Sequence, residues 1–178
     1  MLNIPQDTET ILDAAIANEL EGHRILQQAK ETALTPIARA TFEFLANEEI
    51  RHIQLIKEFA QSLEGVKEWD GSRLQELSLA DAGSAIRGIF QRFCTQFEEA
   101  RTADDERQEV YQVAMDMERR GYEFYSGAAE KATDESAKTL FRFLATEEQT
   151  HFQMIQDTRD FLKQPDAMLA IEERWMQT

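Results

Sequence analysis

The sequence predicts an all-α fold: a four-helix bundle built from two copies of one helical hairpin. Residues 42–52 read FEFLANEEIRH and residues 141–151 read FRFLATEEQTH, so seven of the eleven positions are identical at an offset of 99 residues. The identities continue on both sides of these segments, so the repeat contains a whole hairpin. Apolar residues recur at three- and four-residue steps, the period of an amphipathic helix. Two such hairpins give four helices.

Length, charge and cysteine content limit what the protein can be. A chain of 178 residues is enough for a single domain, over 1–178, whose core needs no disulfide. The net charge of -15 argues against binding to nucleic acid or to an anionic membrane, since both need clustered Lys and Arg. Cys94 is the only cysteine, which excludes an intrachain disulfide and a four-thiolate metal centre. We expect Cys94 to be a small buried apolar residue.

The N-terminal segment has neither the basic start nor the apolar middle of a signal peptide. Nowhere do about eighteen apolar residues follow one another, as a membrane-spanning helix would require. We therefore expect a cytoplasmic protein that does not enter a membrane.

The first hairpin is predicted over about residues 8–63. Asp7 and Thr8 are candidate caps for its first helix. Thr35 followed by Pro36 is typical of an N-cap with proline at the first helical position, and it predicts the start of the second helix. The turn between the two helices is short, so they should be antiparallel neighbours.

A crossover and an extra helix are predicted over about residues 64–103. Glycines and scattered charges over 64–80 are typical of a connection. Ile and Phe then recur at helical spacing within 86–97, which predicts an amphipathic helix over about 82–100. Its aromatic face packs either on its own bundle or against a second copy of the chain in a homodimer, and the sequence leaves both open.

The second hairpin is predicted over about residues 104–163. Asp104 and Asp105 are candidate caps for its first helix, and Thr133 is the candidate cap for its second. The tail over 164–178 has the pattern of one more short helix.

Each hairpin carries one Glu in its first helix and a Glu-x-x-His motif in its second. The six side chains are Glu19, Glu49, His52, Glu118, Glu148 and His151. A spacing of three residues puts Glu and His on one helix face, where both can bind one metal ion. A single motif of this kind is more often a surface feature. Two copies embedded in a repeated apolar pattern favour a buried metal site, because a core rarely keeps such groups unpaired.

The six candidate ligands indicate a pair of metal ions. Four carboxylates match the charge of two divalent ions, whereas without metal they would be unpaired buried charges. Oxygen and nitrogen ligands without thiolate suit iron or manganese, and zinc also binds imidazole and carboxylate. The identity of the metal therefore stays open.

Glu48 and Glu147 also repeat, but each precedes a candidate ligand by one residue. At that spacing the side chain points about a quarter-turn away from the ligand face. We expect these two carboxylates to be partly exposed or ion-paired, and not to bind metal.

Three further polar side chains could approach the site. His23 follows Glu19 by one turn, but its counterpart in the repeat is Tyr122, so we do not expect a ligand there. For Tyr125 and Tyr111 we expect core packing in preference to a hydrogen bond near the site.

Through these six residues the chain resembles the rubrerythrin-like branch of the ferritin-like superfamily, over nearly its whole length. The resemblance implies a ferritin-like bundle with a long crossover, and two iron ions per chain held by the six residues. It also implies an oxidoreductase that oxidises Fe(II) with hydrogen peroxide or dioxygen, as in the response to oxidative stress. An external electron-donor protein would then reduce the iron again, and we expect a homodimer.

The sequence departs from this family in two ways. Peroxide-reducing members commonly carry a rubredoxin domain, which a single cysteine cannot form within these 178 residues. They also tend to have an additional glutamate one turn after the ligand in helix 3, where this chain has Gly121. A peroxidase with an external donor and a ferroxidase both stay open. So do a protein that binds and delivers iron without turnover, a structural bundle that holds adventitious zinc, and a cage-forming ferritin shell.

Overall fold

The computed structural model describes residues 8–66, 68–71, 74, 88–89 and 108–163, which contain four long helices and no strand. The helices are α1 (Thr8–Thr32), α2 (Pro36–Leu63), α3 (Gln108–Lys131) and α4 (Glu135–Lys163). The predicted all-α four-helix bundle is confirmed. None of the described helices has a stretch that is apolar enough, over a sufficient length, to cross a membrane.

The four helices pack as two hairpins. Only residues 33–35 separate α1 from α2, and only residues 132–134 separate α3 from α4. Turns this short force the chain to reverse direction, so the helices of each pair lie side by side along their lengths. Between the hairpins, α1 contacts α3 and α2 contacts α4. The first helices of the two repeats are therefore neighbours, and so are the second helices.

Thr35 caps α2 as its sequence context predicts. Its backbone is extended, and its hydroxyl oxygen accepts a hydrogen bond from the Ala38 amide at 3.3 Å. Pro36 occupies the first helical position, where a missing amide hydrogen does no harm.

The predicted cap of α4 is wrong by one residue. The Ala137 amide donates to the Asp134 carboxylate at 2.8 Å, so Asp134 and not Thr133 caps the helix. A carboxylate is the stronger acceptor at a helix N-terminus because it carries a full negative charge. Of the other candidate caps, Thr8 is the first residue of α1, and Asp7, Asp104 and Asp105 lie outside the described residues.

The start of the crossover packs on the end of the bundle. Gly65 follows the last turn of α2 with a φ of 73°, the left-handed conformation that favours glycine. The Trp69 ring then meets Phe59 edge-on, with ring centroids 5.0 Å apart. Leu74 is almost fully buried in the same apolar cluster.

The extra helix predicted over about 82–100 is described only at Gly88 and Ile89. Both residues are helical, and Ile89 packs against the apolar core of the bundle. The remainder of that helix, including Cys94, and the tail over 164–178 lie outside the described residues.

Two apolar clusters fill the bundle, one on each side of a charged layer, and every helix contributes to both. The first cluster includes Leu26, Leu45, Met115 and Ile155. The second cluster includes Ala15, Ile56, Phe124 and Leu144. On each helix the candidate metal ligands lie between these two apolar positions. The ligands of all four helices therefore meet halfway along the bundle.

Candidate metal centre

The six predicted ligands meet in one buried cluster. They are Glu19 from α1, Glu49 and His52 from α2, Glu118 from α3, and Glu148 and His151 from α4. Their exposed fractions run from 0% to 3%. The structure thus brings together every residue that the sequence predicted for this site. That these side chains bind metal stays a prediction.

The cluster divides into two overlapping groups of four. Glu19, Glu49, His52 and Glu148 each place a ligand atom within 4.8 Å of the others, and so do Glu49, Glu118, Glu148 and His151. Glu49 and Glu148 belong to both groups. Each group therefore has one Glu and one His of its own, and the two groups share two carboxylates.

Both imidazoles turn Nδ1 toward the carboxylates. His52 Nδ1 is 3.1 Å from Glu19 Oε2 and 3.9 Å from Glu49 Oε2. His151 Nδ1 is 3.6 Å from Glu49 Oε1 and 3.7 Å from Glu118 Oε2. The two rings are nearly parallel, with centroids 5.3 Å apart. One nitrogen of each ring therefore faces the place where a metal would bind.

Unpartnered buried atoms indicate that these residues fit a metal site. Among the described residues, six polar atoms of the cluster have no hydrogen-bond partner: Glu49 Oε1, His52 Nε2, Glu118 Oε1 and Oε2, Glu148 Oε2, and His151 Nδ1. Buried polar atoms normally have a partner, because leaving one without it is costly. Carboxylate oxygens and a ring nitrogen are the donors that iron, manganese or zinc accepts.

The pKa values of the buried carboxylates also favour a bound cation. Burial, together with the nearby charges of Glu19 and Glu148, raises the pKa of Glu49 well above its usual range. Burial and the charges of Glu19 and Glu118 do the same for Glu148. Burial also raises the pKa of Glu118 to about 8, although its contact with Glu148 opposes the increase. The cluster holds more negative charge than its surroundings stabilise, and divalent cations would balance it.

The remaining three groups are a charged pair, Glu19 with His52, and the neutral imidazole of His151. Burial would raise the pKa of Glu19, but hydrogen bonds and the charge of His52 lower it to about 2. Burial would lower the pKa of His52, yet Glu19 outweighs it and raises that pKa to about 9. For His151, burial and the charge of His52 lower the pKa to about 4. His151 is thus held neutral, the form in which an imidazole binds metal.

Tyr125 belongs to the site, contrary to the expectation that it serves core packing alone. Its hydroxyl donates a hydrogen bond to Glu19 Oε1, from the other hairpin. Burial raises the pKa of Tyr125 well above its ordinary value, so the hydroxyl keeps its proton. Its position seven residues after Glu118 is the signal for a shared helix face. Tyr111, in contrast, packs on Phe42 at a centroid distance of 5.4 Å.

Replacing Tyr125 with Phe should weaken metal binding about tenfold, because Glu19 loses the donor that orients it. Competition with a coloured chelator would measure the affinity of Co(II) as a redox-inert probe. Tyr122→Phe is the matched control, since Tyr122 lies on the same helix and is 42% exposed. Equal affinity for Tyr125→Phe and the unmodified protein would rule out this role of the hydroxyl.

Glu48 and Glu147 form the ion pairs that the sequence predicted, but they are buried instead of partly exposed. Both pair with Arg51, at 3.7 Å in the case of Glu147. The arginine supplies the charge that allows two carboxylates to leave water. Glu147 also lies within 4.8 Å of a nitrogen of each of the two histidines His52 and His151. A carboxylate in that place can orient the imidazoles.

His23 takes no part in the cluster. Its Nδ1–H donates a hydrogen bond to the Ala46 carbonyl oxygen at 2.8 Å, and a carbonyl can only accept. The expectation that His23 is not a ligand agrees with this geometry.

Two repeated glycines make room for the two shared carboxylates. A Cβ atom at Gly121 would stand 2.8 Å from Glu148 Cδ, and one at Gly22 would stand 3.3 Å from Glu49 Cδ. Each glycine lies three residues after a candidate ligand, Glu19 or Glu118, and the pair repeats at the offset of 99. Glu148 thus fills the space that a side chain at position 121 would need.

Replacing Gly121 with Ala should weaken metal binding without lowering the stability of the metal-free protein. Alanine favours a helix over glycine by about 0.5–1 kcal/mol, so the metal-free protein should unfold at an equal or higher temperature. The new methyl group should displace the Glu148 carboxylate and weaken Co(II) binding about tenfold or more. Gly22→Ala, with its wider contacts, should have a smaller effect on affinity. If both variants bind Co(II) as the unmodified protein does, the glycines have no role in placing the carboxylates.

The sequence also matches a known family. The family model for rubrerythrin matches residues 10–158, which include all six residues of the cluster. No match was found among curated proteins or among solved structures.

Proposed function

Since this chain belongs to the rubrerythrin family, we propose that it is an oxidoreductase that holds two iron ions in the cluster and oxidises them with hydrogen peroxide or dioxygen. The observation that carries the proposal is the pair of overlapping four-residue groups that share Glu49 and Glu148. A structural site needs only one closed set of ligands, whereas two adjacent ions with shared ligands can act together on one small molecule.

The grouping of the ligand atoms supports the following assignment. Glu19 and His52 would bind one ion, Glu118 and His151 would bind the other, and the two shared carboxylates would lie between them. Two Fe(II) ions would supply the two electrons that, with two protons, convert one hydrogen peroxide to two waters. Zinc lacks this redox chemistry, which is why we propose iron as the native metal.

The surrounding residues hold this site in one arrangement. Tyr125 keeps a proton on its hydroxyl and fixes one oxygen of Glu19. Glu147 lies beside both imidazoles, and Arg51 balances its charge. The apolar clusters above and below keep water from those two sides of the site, which would strengthen the interactions between ligands and metal. Reduction of the oxidised site would need electrons from outside, and we propose an external electron-donor protein as their source.

Rapid mixing tests the proposal. Protein loaded with Fe(II) without oxygen should develop ferric absorbance within seconds of mixing with hydrogen peroxide or with dissolved dioxygen. Zinc-loaded protein is the control and should not change. A loaded protein that reacts with neither oxidant would refute the proposed activity.

A protein that binds and delivers iron without turnover is the second candidate. The observation that favours it is Gly121, because the carboxylate of Glu148 leaves no room there for the additional glutamate of peroxide-reducing relatives. Steady consumption of peroxide in the presence of an artificial reductant would exclude this alternative. A single oxidation event followed by transfer of iron to a chelator would support it.

A further inference from the structure

A cavity of about 190 Å³ connects the surface with the carboxylates of the candidate centre, between α1 and α3. Its mouth is formed by the exposed residues Asn18, Glu21 and Arg120. Its inner end is formed by Glu49 and Glu148, which also have unpartnered buried oxygens. The cavity therefore reaches the two carboxylates that both four-residue groups share.

The cavity approaches the centre from one side only. Glu19 also lines it, whereas neither His52 nor His151 does. Next to the imidazoles lie Glu147 and the charge of Arg51 instead. A molecule in the cavity would thus meet the carboxylate side of the site.

Residues that line the cavity differ between the two hairpins, although the six candidate ligands are the same in both. Asn18 on α1 corresponds to Met117 on α3 at the offset of 99, and Glu21 corresponds to Arg120. All four of these residues line the cavity. Asn18 thus lies on the α1 side of the cavity and Met117 on the α3 side, and the mouth carries one charge of each sign, from Glu21 and Arg120.

We propose that this cavity is the port through which a small, uncharged oxidant reaches the site, and that Asn18 and Met117 set the size limit of the substrate. The proposal rests on the proposed function for the identity of the oxidant. A cavity of about 150 Å³ holds one benzene molecule, so a cavity of about 190 Å³ leaves little room for the side chain of an aromatic hydroperoxide in addition to its ring. Hydrogen peroxide and dioxygen fit. The balanced charges at the mouth give no preference to an anion.

A labelling experiment tests the port without any metal. In a Cys94→Ser background, Met117→Cys should react with the small reagent methyl methanethiosulfonate. Adding Asn18→Phe should slow this labelling about tenfold by filling the mouth. Asn18 is exposed, so the larger side chain requires no change in the core. The control is Val113→Phe, on the same helix as Met117 and 52% exposed, outside the cavity.

The same substitutions test the size limit in iron-loaded protein. The unmodified protein should react with hydrogen peroxide at least about tenfold faster than with cumene hydroperoxide. Asn18→Phe should slow the reaction with hydrogen peroxide by about the same factor as it slows labelling, with unchanged iron content. Val113→Phe should behave as the unmodified protein does.

The outcomes separate the port from the proposed activity. Labelling that is insensitive to Asn18→Phe would refute the port, and equal rates with the two hydroperoxides would refute the size limit. If the iron-loaded protein reacts with no oxidant at all, the proposed function and the size limit for oxidants both fail. Labelling then decides on its own whether the cavity is the access route.

Discussion

Replacing Glu49 with Gln is expected to remove both bound iron ions and not just one. Glu49 is a member of both four-residue groups, so its loss leaves neither position with a complete set of ligands. We expect the iron affinity to fall by about 100-fold or more, and the iron content after desalting to fall below one ion per chain. Elemental analysis measures the content.

The same variant should have the opposite effect on the metal-free protein. In Glu49→Gln, a neutral amide replaces a buried carboxyl group whose pKa is raised by burial and by its charged neighbours. The melting temperature of the metal-free variant should therefore rise, by about 2–4 °C for each kcal/mol gained. Glu43→Gln is the matched control on the same helix, because Glu43 is exposed and pairs only with Lys30 among the contacts described. A metal-free variant that is less stable, with unchanged iron content, would contradict the account.

The stability of the metal-free protein is expected to fall as the pH rises from 6.5 to 8. Glu118 has a folded pKa of about 8 against an ordinary 4.5, and His52 has about 9 against 6.5. In this window the folded chain keeps protons that the unfolded chain has lost, and stability decreases with pH wherever the folded state binds more protons. Each such group contributes about 1.4 kcal/mol per pH unit at most. The raised pKa values of Glu49 and Glu148 act in the same direction.

The groups with lowered pKa values do not change the stability trend between pH 6.5 and 8. Glu19 titrates at about 2 and His151 at about 4 in the folded state, so their contributions change below pH 6.5. Thermal unfolding at three pH values measures the trend, and Glu118→Gln should make it shallower. Metal displaces the protons, so iron-loaded protein should lose the trend and loading should release protons. A melting temperature of the metal-free protein that stays constant or rises with pH would contradict the assignment.

The sequence predicted the six residues of the cluster because two strong constraints agree on them. The helical period puts Glu and His of each motif on one face, and the repeat requires the same face in both hairpins. Neither constraint depends on details of the loops. The same reasoning predicted the four helices, since a short turn with Thr35 and Pro36 leaves few arrangements for the first pair.

The sequence did not predict features that break the repeat or depend on contacts between the hairpins. Tyr125 corresponds to Leu26, so the repeat gave no signal for a polar side chain, and its partner Glu19 lies on another helix. The burial of Glu48 and Glu147 depends on Arg51, which has Thr150 as its counterpart. In each case a helical period identifies the face but not the residue on the facing helix.

The two repeated glycines show a different limit of prediction from sequence. Gly22 and Gly121 are visible in the repeat, yet their purpose is clear only when the carboxylates of Glu49 and Glu148 are seen against them. Packing across helices decides such positions, and no local pattern encodes it. The cavity between α1 and α3 likewise depends on residues from all four helices and could not be predicted from any one of them.

An anaerobic titration of metal-stripped protein with Fe(II), followed by desalting and elemental analysis, tests the central claim most directly. We predict that two iron ions stay bound per chain. Exposure of one part of the sample to hydrogen peroxide should then produce ferric absorbance, with the Glu49→Gln variant as the control that shows neither. Less than one retained iron ion per chain, or no spectral change after peroxide, would contradict it.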